Sequence, residues 1–593
     1  MMHFGVYIDR FNLWRSSRIS DRYFTILLSL IIGIAAGLAA WLLKSAVFRI
    51  EGLLTGEMQL RTANTLYIVY PLAGVLLSLL FFRFIIKDSD FQGVPRVLFA
   101  LSRMKGRMKR HRMYSPLAGA SLTAGFGGSI GLESPIISAG SAFGSFIGQG
   151  MQMNQQNRML LIGCGASGAM ASIFTTPVAA VIFSLEVLLL DLSTASILPL
   201  LTASVAGALT TRLLMSEQIL FHFQHVAPFE MGEVPYYLLL GLLCGLVSIY
   251  FYVVHFAVSG KMEKIRNVYL RAFIALGLLG LLIYFFPPLY GEGYDSIRMI
   301  IAGESTHLLD HSFFYAFKDS AWQLLGFVLM ILLLKVMATT LTLSGGGIGG
   351  IFAPAAMTGG LSGFLFAGVL TRLFGNLYLD ERNFTLVGMA GVLGAVLHAP
   401  LTAIFLVAEL TKGYELFVPL MITTGIAFLV VKAYNPHSIF TRRLAERGDL
   451  LAHHRDQSVL TLMNIKDVID TDLLTIPPDA SLGELVERIA VSKRNIFPVV
   501  DQDNTFRGVI DLDDVRKDMF HPEKYQNPLT PYIIQPSEQV STAETMDNVM
   551  EKFRKSGYYN LPVIDQGKYV GFVSRAHVFN AYRKTLLELS MQD

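Results

Sequence analysis

Long apolar runs separated by short polar segments fill the first 440 residues, whereas the rest of the chain carries shorter apolar patches among charged residues. The run from Tyr23 to Leu43 is long enough to cross the ~30 Å hydrocarbon core of a bilayer. Further runs lie at about 66–86, 115–126, 134–149, 159–190, 195–214, 235–257, 268–286, 321–343, 352–374, 384–410 and 415–433. Several are too short to span, and Gly or Pro interrupts many. Interrupted helices are typical of transporters and channels.

The charged residues divide the chain into two parts. Only 16% of all residues are charged, against about 25% in soluble domains, which excludes a soluble enzyme. Residues 441–593 contain 42 charged side chains in 153 positions, and the first 440 residues contain 51. A membrane part is therefore followed by a tail of ordinary soluble composition. The net charge of +3 gives no reason to expect nucleic acid, and the two cysteines indicate neither a disulfide framework nor a metal site.

The densest cluster of Lys and Arg lies at residues 103–112 and predicts which side faces the cytoplasm. Topology determination explains this cluster more simply than binding of lipid or a heparin-like polymer. Two spans precede it, so the basic N-terminus is expected on the same side. We expect an integral, multi-pass membrane protein with both termini in the cytoplasm, located in the inner membrane if the source is prokaryotic.

Two pairs of motifs indicate an internal repeat. Residues 163–187 align with 386–410 at an offset of 223, where TTPVAAVIFSLE parallels HAPLTAIFLVAE. GGSIGLESP (127–135) aligns with GGGIGGIFAP (345–354) at an offset of 219. Chance similarity among Gly-rich helices is the alternative. The common order and spacing favour an inverted repeat, with a site near the midplane where interrupted helices meet.

Three short segments predict helix N-termini that could hold an anion. They read FQGVP (91–95), GLESP (131–135) and GIFAP (350–354), and each ends in a Pro, which the first turn of a helix tolerates. Free N–H groups and the positive end of the helix dipole favour negative charge there. Such dipoles bind an anion firmly enough to dehydrate it and weakly enough to release it. Lys335 could add positive field, although structural pairing or snorkelling is the favoured interpretation.

Glu133 is the principal functional candidate, because an ionisable carboxylate inside a membrane is costly. It could occupy the amide-lined site in place of an anion, block the pathway when ionised and leave when protonated. The alternative is a helix-start Glu that only satisfies N–H groups. Glu186 and Glu409 lie toward the ends of their helices, and a structural role is expected for both.

These motifs resemble the chloride channel (CLC) family, which includes chloride channels and chloride/proton exchangers. The resemblance covers residues 20–445: GLESP is similar to the family's G(K/R)EGP, GGIFAP to GxFxP and QGVP to GSGIP, and HAPLTAIFLVAELTKGYELFVPLMITTGI matches a long stretch of the second half. The resemblance implies a homodimer with one anion pore per subunit and a gating glutamate at Glu133. The residues it places at the anion are Gln92, Gly93, Val94, Ile351 and Phe352, the last two through their amides.

The departures from the family pattern affect selectivity and coupling. Gln92 replaces the serine of GSGIP, and the tyrosine expected near the last membrane helix has no clear counterpart among Tyr434 and residues 436–438. Chloride is therefore the default substrate, with nitrate or fluoride as alternatives. Exchangers mostly carry a second, inner glutamate directly after the position of Glu186, where this chain has Val187. That favours a channel, with a chloride/proton antiporter as the alternative.

The tail contains a second repeat, in which residues 494–515 parallel 558–578 and each follows an amphipathic helix pattern, at 481–492 and 545–556. The unit is strand, turn, strand, helix. It resembles a tandem pair of cystathionine-β-synthase (CBS) domains. The resemblance implies either an adenine-nucleotide site or a purely structural dimerising module.

The residues that hold a nucleotide in CBS pairs are only partly present. The family pattern is a Ser or Thr followed three residues later by an Asp that holds the ribose. The first repeat has Asp511 and Asp514, and the second has Ser574 and His577. Asp514 therefore keeps the ribose-binding position, and it is the tentative nucleotide-binding residue.

The predicted fold is an all-α polytopic membrane domain with an inverted repeat, followed by α/β cytoplasmic tandem CBS domains. Its parts are an N-terminal segment (1–22), the transmembrane domain (23–445), a linker (446–460) and two CBS domains (461–520 and 528–587). The predicted function is anion transport, with no catalytic residues, metal or cofactor beyond the nucleotide. A CBS-regulated cation or metal transporter would need clustered intramembrane acids, and a membrane enzyme would need a catalytic constellation.

Overall fold

The computed structural model describes residues 15, 18–55, 65–88, 93–188, 194–215, 227–310, 312–318, 320–446 and 463–590. The chain forms two compact units, residues 1–450 and 451–593. The first is helical, and the second combines helices with short strands.

Besides short 3-10 helices, the described part of the first unit contains seventeen α-helices. They are α1 (Asp21–Thr55), α2 (Tyr70–Phe81), α3 (Val94–Ser102), α4 (Ser115–Gly125), α5 (Glu133–Gly150), α6 (Gln155–Phe174), α7 (Pro177–Glu186), α8 (Thr194–Leu214), α9 (Val234–Glu263), α10 (Val268–Phe285), α11 (Tyr294–Ala302), α12 (Ala321–Ser344), α13 (Phe352–Leu373), α14 (Glu381–Leu397), α15 (Pro400–Leu410), α16 (Phe417–Tyr434) and α17 (Arg442–Glu446). One π-helical turn, Phe82–Ile86, continues α2. Eight of the described helical stretches are long and apolar enough to cross a membrane. Helices such as α3, α7 and α15 are too short to span alone, as the interrupted runs predicted.

Two predicted apolar runs are each broken into a pair of helices. The run 159–190 contains α6 and α7, separated at Thr175, which has a left-handed φ of 57°. The run 384–410 contains α14 and α15, separated at His398 with a φ of 55°. A proline opens the second helix of each pair, and its ring prevents continuation of the helix before it. The break is therefore repeated at the predicted offset of 223 residues.

Matching hydrogen bonds relate the two halves around the Gly-rich motifs. The backbone N–H of Ser129 donates to Thr342 Oγ1 at 3.2 Å, and the N–H of Ile348 donates to Thr123 Oγ1 at 3.1 Å. Both the donors and the acceptors are separated by the predicted offset of 219 residues. Each half thus satisfies a backbone donor of the other half, as a pseudo-two-fold relation requires.

Helices α7 and α15 cap each other. The Glu186 carboxylate, at the end of α7, accepts the N–H groups of the second and third residues of α15 at 3.2 and 2.8 Å, and the Thr402 hydroxyl at 2.8 Å. Glu409, near the end of α15, accepts the corresponding N–H groups of α7 at 3.1 and 2.8 Å. The two helices are therefore antiparallel. The structural roles predicted for both glutamates are confirmed.

The second unit contains two similar halves. Its helices are α18 (Leu482–Val491), α19 (Leu512–Val515), α20 (Met546–Ser556) and α21 (Arg575–Ser590), and its strands are β1 (Ile469–Asp470), β2 (Ile496–Val500), β3 (Phe506–Asp511), β4 (Asn560–Asp565) and β5 (Lys568–Ser574). β2 pairs with β3, and β1, β5 and β4 form a second antiparallel sheet. Both hairpins have a register irregularity, between Val499 and Val500 and between Val563 and Ile564. The predicted order of helix, strand, turn, strand and helix is confirmed in both halves.

Candidate anion site

The structure brings together the starts of three helices that carry the predicted motifs. The Val94 N–H, at the start of α3, donates to Ser134 Oγ of α5 at 3.1 Å. Gly131 and Gly350, which precede α5 and α13, exchange two backbone hydrogen bonds of 2.9 and 2.8 Å. Segments that lie up to 260 residues apart in sequence thus place their N-terminal helix turns side by side.

Glycine permits this close approach at two positions. A Cβ atom on Gly93, the N-cap residue of α3, would collide with the side chain of Ser134. A Cβ on Gly350 would lie 2.7 Å from Ser134 Cβ. Contacts this short do not occur between real Cβ atoms and their neighbours, so any larger residue would separate the helix starts.

The predicted anion-binding amides lie at this junction. Ile351 is the N-cap residue of α13 and Phe352 is its first residue, and both are buried. Among the described residues, no acceptor receives a hydrogen bond from either backbone N–H. Such unpaired donors at a helix start are suited to an anion. Gln92 lies outside the described residues.

Glu133 is the first residue of α5, and only 1% of its surface is exposed. Its Oε1 accepts a hydrogen bond from the Tyr294 hydroxyl at 2.7 Å. Its Oε2 has no hydrogen-bond partner in the described part of the chain. A Cβ on Gly131 would collide with this oxygen and lie 3.1 Å from the Ala353 nitrogen, so Oε2 and the start of α13 border the same small space. The carboxylate therefore lies where an anion would meet the α13 amides.

Tyr294 is a residue of this site that sequence reasoning missed. It begins α11, is 5% exposed and packs edge to face against Phe174 at 6.2 Å between ring centroids. Phe174 also contacts Phe352, at 5.4 Å. The only sequence signal was a tyrosine in the short Gly-rich segment GEGY between two apolar runs. Tyr294 therefore links the Glu133 carboxylate to a cluster of aromatic side chains that includes Phe352 at the start of α13.

Lys335, considered as a source of positive field, is fully buried in α12. Its Nζ donates to the backbone oxygen of Gly291 at 2.9 Å. This agrees with the structural pairing favoured from the sequence. The lysine holds the connection that leads to Tyr294 at the start of α11.

Comparison with known sequences identifies the family. The family model described as "Voltage gated chloride channel" matches residues 73–432, which is more than half of the chain. The chain belongs to the voltage-gated chloride channel (CLC) family. The CBS domain model matches residues 465–521 and 532–584. CLC proteins are transporters or channels for chloride and other small anions, and they are not enzymes.

Individual CLC relatives are distant in sequence. The chain is 25% identical over 407 residues to the H(+)/Cl(−) exchange transporter ClcA of Klebsiella pneumoniae, covering 66% of this chain and 82% of that protein. It is 26% identical over 449 residues to the chloride channel protein CLC-f of Arabidopsis thaliana, covering 67% of this chain and 56% of that protein. A crystal structure of a slow cyanobacterial Cl−/H+ antiporter superposes with a TM-score of 0.61, at 22% identity, over 74% of this chain and 100% of that chain. The last comparison supports the CLC fold alone.

Burial and contacts can be given for three positions at which this CLC sequence departs from the family pattern. Val187 is buried directly after α7, and its neighbour Glu186 is engaged in capping α15. Tyr434 ends α16 with 55% of its surface exposed and packs edge to face against Tyr252 at 6.4 Å. Ser438 is buried, and its hydroxyl accepts the Thr441 N–H at 3.3 Å.

The tail residues considered for nucleotide binding differ in accessibility. Asp514 is exposed on α19, and Asp511 caps that helix by accepting the Asp513 N–H at 3.0 Å. Ser574 Oγ accepts the His577 N–H at 3.0 Å. Asp514 thus keeps a carboxylate open to solvent, and nucleotide binding stays a prediction. Among the described residues of the whole chain, no group of three or more His, Cys, Asp or Glu side chains could hold a metal ion.

Proposed function

We propose that the membrane unit conducts chloride through a CLC-type pathway whose gate is the Glu133 carboxylate. The supporting observation is the position of this carboxylate, buried at the junction of three helix starts and beside unpaired amides. Amide dipoles stabilise a chloride ion and a carboxylate in the same way. The two anions therefore compete for one space, and protonation of Glu133 favours chloride.

We propose that chloride flow is not coupled to protons. Val187 offers no group that could carry a proton, and Glu186 is committed to three hydrogen bonds at the start of α15. A second candidate is chloride/proton exchange, which the name of the similar Klebsiella ClcA favours. Fluoride and nitrate remain alternative substrates, because Gln92 stands where the family pattern has serine.

The test uses the full chain purified and reconstituted in liposomes. We expect wild type to give chloride efflux above that of empty liposomes, and Glu133→Gln to give an efflux at pH 7 equal to or greater than that of wild type. Glu304→Gln, at an exposed residue between α11 and α12, is the matched control and should behave as wild type. Loss of efflux in Glu133→Gln alone would contradict competition at the gate.

Coupling is tested in the same liposomes. A chloride gradient is imposed while a potassium ionophore clamps the voltage, and external pH is followed. An uncoupled pathway produces no uphill proton movement. Robust uphill pumping would establish the exchanger and leave the proposed anion site at Glu133, Ile351 and Phe352 unchanged.

We also propose a homodimer with one pathway per subunit, both termini in the cytoplasm, and adenine-nucleotide binding at Asp514. Light scattering of the detergent-solubilised protein tests the dimer, and protease accessibility of the termini in sealed vesicles tests the orientation. ATP binding to the full chain, compared with Asp514→Asn, tests the nucleotide site. A binding isotherm unaltered by this substitution would exclude Asp514 from it.

A further inference from the structure

A second carboxylate, Glu292, lies next to the start of the helix that carries Glu133. It belongs to the connection between α10 and α11, and its Oε1 accepts the Leu132 N–H at 3.1 Å. Leu132 is the residue before Glu133. Two residues after Glu292, the Tyr294 hydroxyl donates to Glu133 Oε1 at 2.7 Å. The short segment 292–294 therefore forms hydrogen bonds both with the backbone of the residue before Glu133 and with the Glu133 carboxylate.

Charged side chains from four helices face Glu292. Lys44 of α1, Glu133 of α5, Asp295 of α11 and Lys335 of α12 all lie close enough to interact with its charge. Asp295 is exposed and lies 3.5 Å from Arg298, so water screens most of its charge.

The two lysines do not neutralise the carboxylates directly. Lys44 Nζ donates to the backbone oxygen of Ile173 at 2.6 Å, and Lys335 Nζ donates to that of Gly291 at 2.9 Å. The field of Lys44 acts on Glu133 and Glu292, and that of Lys335 acts on Glu292. Among the described residues, neither lysine forms an ion pair with either carboxylate. The two carboxylates therefore remain in mutual repulsion when both are ionised, and this repulsion is relieved when either binds a proton.

Exposure distinguishes the two carboxylates. Glu133 is 1% exposed and its Oε2 has no hydrogen-bond partner in the described chain, whereas Glu292 is partly exposed. A partly exposed acid inside a membrane protein faces water rather than lipid, because contact of a charge with lipid is costly. Glu292 can thus exchange protons with water.

We propose that Glu292 is a second proton-binding carboxylate of the anion gate, which takes a proton from water and so sets the pH at which chloride displaces Glu133. The inference rests on the proposed function of Glu133 as the gate. When Glu292 is ionised, its charge disfavours an ionised Glu133 beside it. When Glu292 holds a proton, that repulsion disappears, and a neutral carboxylic acid then lies beside Leu132, the residue before Glu133.

Two substitutions separate this role from a purely structural one. Glu292→Gln keeps an oxygen that can accept the Leu132 N–H but removes the charge and the titration. Glu292→Asp keeps the charge and the titration but shortens the reach to Leu132. If Glu292 only holds the Leu132 backbone, Glu292→Gln should keep the wild-type pH profile of efflux and Glu292→Asp should change it. If Glu292 binds protons, Glu292→Asp should keep the profile and Glu292→Gln should change it. Glu304→Gln, exposed on the following connection, is the control.

The readout is chloride efflux from liposomes that contain the full chain, measured from pH 4 to 8. We expect Glu292→Gln to move the midpoint of acid activation by about 1 pH unit toward acid, because the neighbouring negative charge is lost. Glu292→Asp and Glu304→Gln should keep the midpoint of the wild type. A Glu292→Gln profile identical to wild type would overturn the inference.

If Glu292→Gln cannot be purified as a monodisperse protein, the aspartate variant decides. A wild-type midpoint of acid activation in Glu292→Asp supports the proton-binding role, and a midpoint moved away from the wild-type value overturns that role. Failure of the proposed function has a different signature. In that case wild type shows no chloride efflux, or Glu133→Gln keeps its full acid activation whatever stands at position 292.

Discussion

Substitution of Glu186 by Gln should destabilise the membrane unit and leave the pH dependence of chloride flux unchanged. Its carboxylate accepts two N–H groups and one hydroxyl at the start of α15. A glutamine keeps one acceptor oxygen and loses the charge that interacts with the helix dipole. The change therefore separates a helix-capping role from a role in proton transfer.

The size of the effect follows from the contacts. A hydrogen bond to a charged group contributes about 1.5–3 kcal/mol, and a charge at a helix N-terminus about 0.3–1 kcal/mol. Glu186 is partly exposed, which reduces the benefit of its charge. Since Gln preserves part of the cap, we expect a loss of about 2 kcal/mol for Glu186→Gln and about 4 kcal/mol for Glu186→Ala.

The assay is thermal unfolding of the detergent-solubilised protein, with flux measured on the same preparations. Glu409→Gln is the matched control, because Glu409 caps α7 in the same way from the other half of the repeat. Both substitutions should lower the unfolding temperature by similar amounts. The reasoning is refuted if Glu186→Gln leaves the unfolding temperature at the wild-type value, or if it alone changes the pH profile of flux.

Three further predictions concern selectivity, the gate and the tail. Gln92→Ser should shift relative flux toward chloride over nitrate and fluoride, and identical flux ratios before and after the change would show that this side chain does not face the ion. Tyr294→Phe removes a hydrogen bond of about 1.5–3 kcal/mol from ionised Glu133, so acid activation should begin about 1–2 pH units higher, and an unmoved midpoint in liposome efflux would contradict this contact. In the tail, the hydrogen bond and charge of Lys524, followed by the Tyr532 hydroxyl at 2.6 Å, lower the pKa of Asp518. Ionised Asp518 therefore stabilises the folded tail above the pKa of about 3.9 that this group has in the unfolded chain. This contribution to stability is lost as pH falls through the lower pKa of Asp518 in the folded tail. Asp518→Asn should speed hydrogen exchange around residues 518–532 at pH 7 but not at pH 2, and equal exchange at pH 7 would count against the contact.

Local sequence chemistry was sufficient to predict the helix starts. Gly and Pro restrict the backbone at the residues where they occur, so GLESP and GIFAP could be assigned to helix N-termini without knowledge of the fold. The apolar and small residues around Glu133 likewise predicted a carboxylate inside the membrane. The repeat offsets of 219 and 223 residues then predicted that the two halves would correspond, which the paired contacts of Thr123 and Thr342 confirm.

The partners of Glu133 could not be predicted in this way. Glu292 and Tyr294 reach Leu132 and Glu133 from the end of the connection before α11 and from its first residue, about 160 residues further along the chain. A connection of this kind has no periodicity, and nothing in its composition specifies which helix start it will contact.

The apolar runs 159–190 and 384–410 were also continuous by hydropathy, because apolar side chains flank the prolines that divide them.

The pH profile of chloride efflux in Glu133→Gln decides whether the Glu133 carboxylate is the gate. Wild type and the variant are reconstituted at equal protein density, and efflux is measured from pH 4 to 8 with proton movement followed in the same vesicles. We expect acid-activated efflux for wild type, and for Glu133→Gln an efflux that is at least as fast at pH 7 and independent of pH. Acid activation of the same size in both proteins would contradict the assignment of Glu133 as the gate.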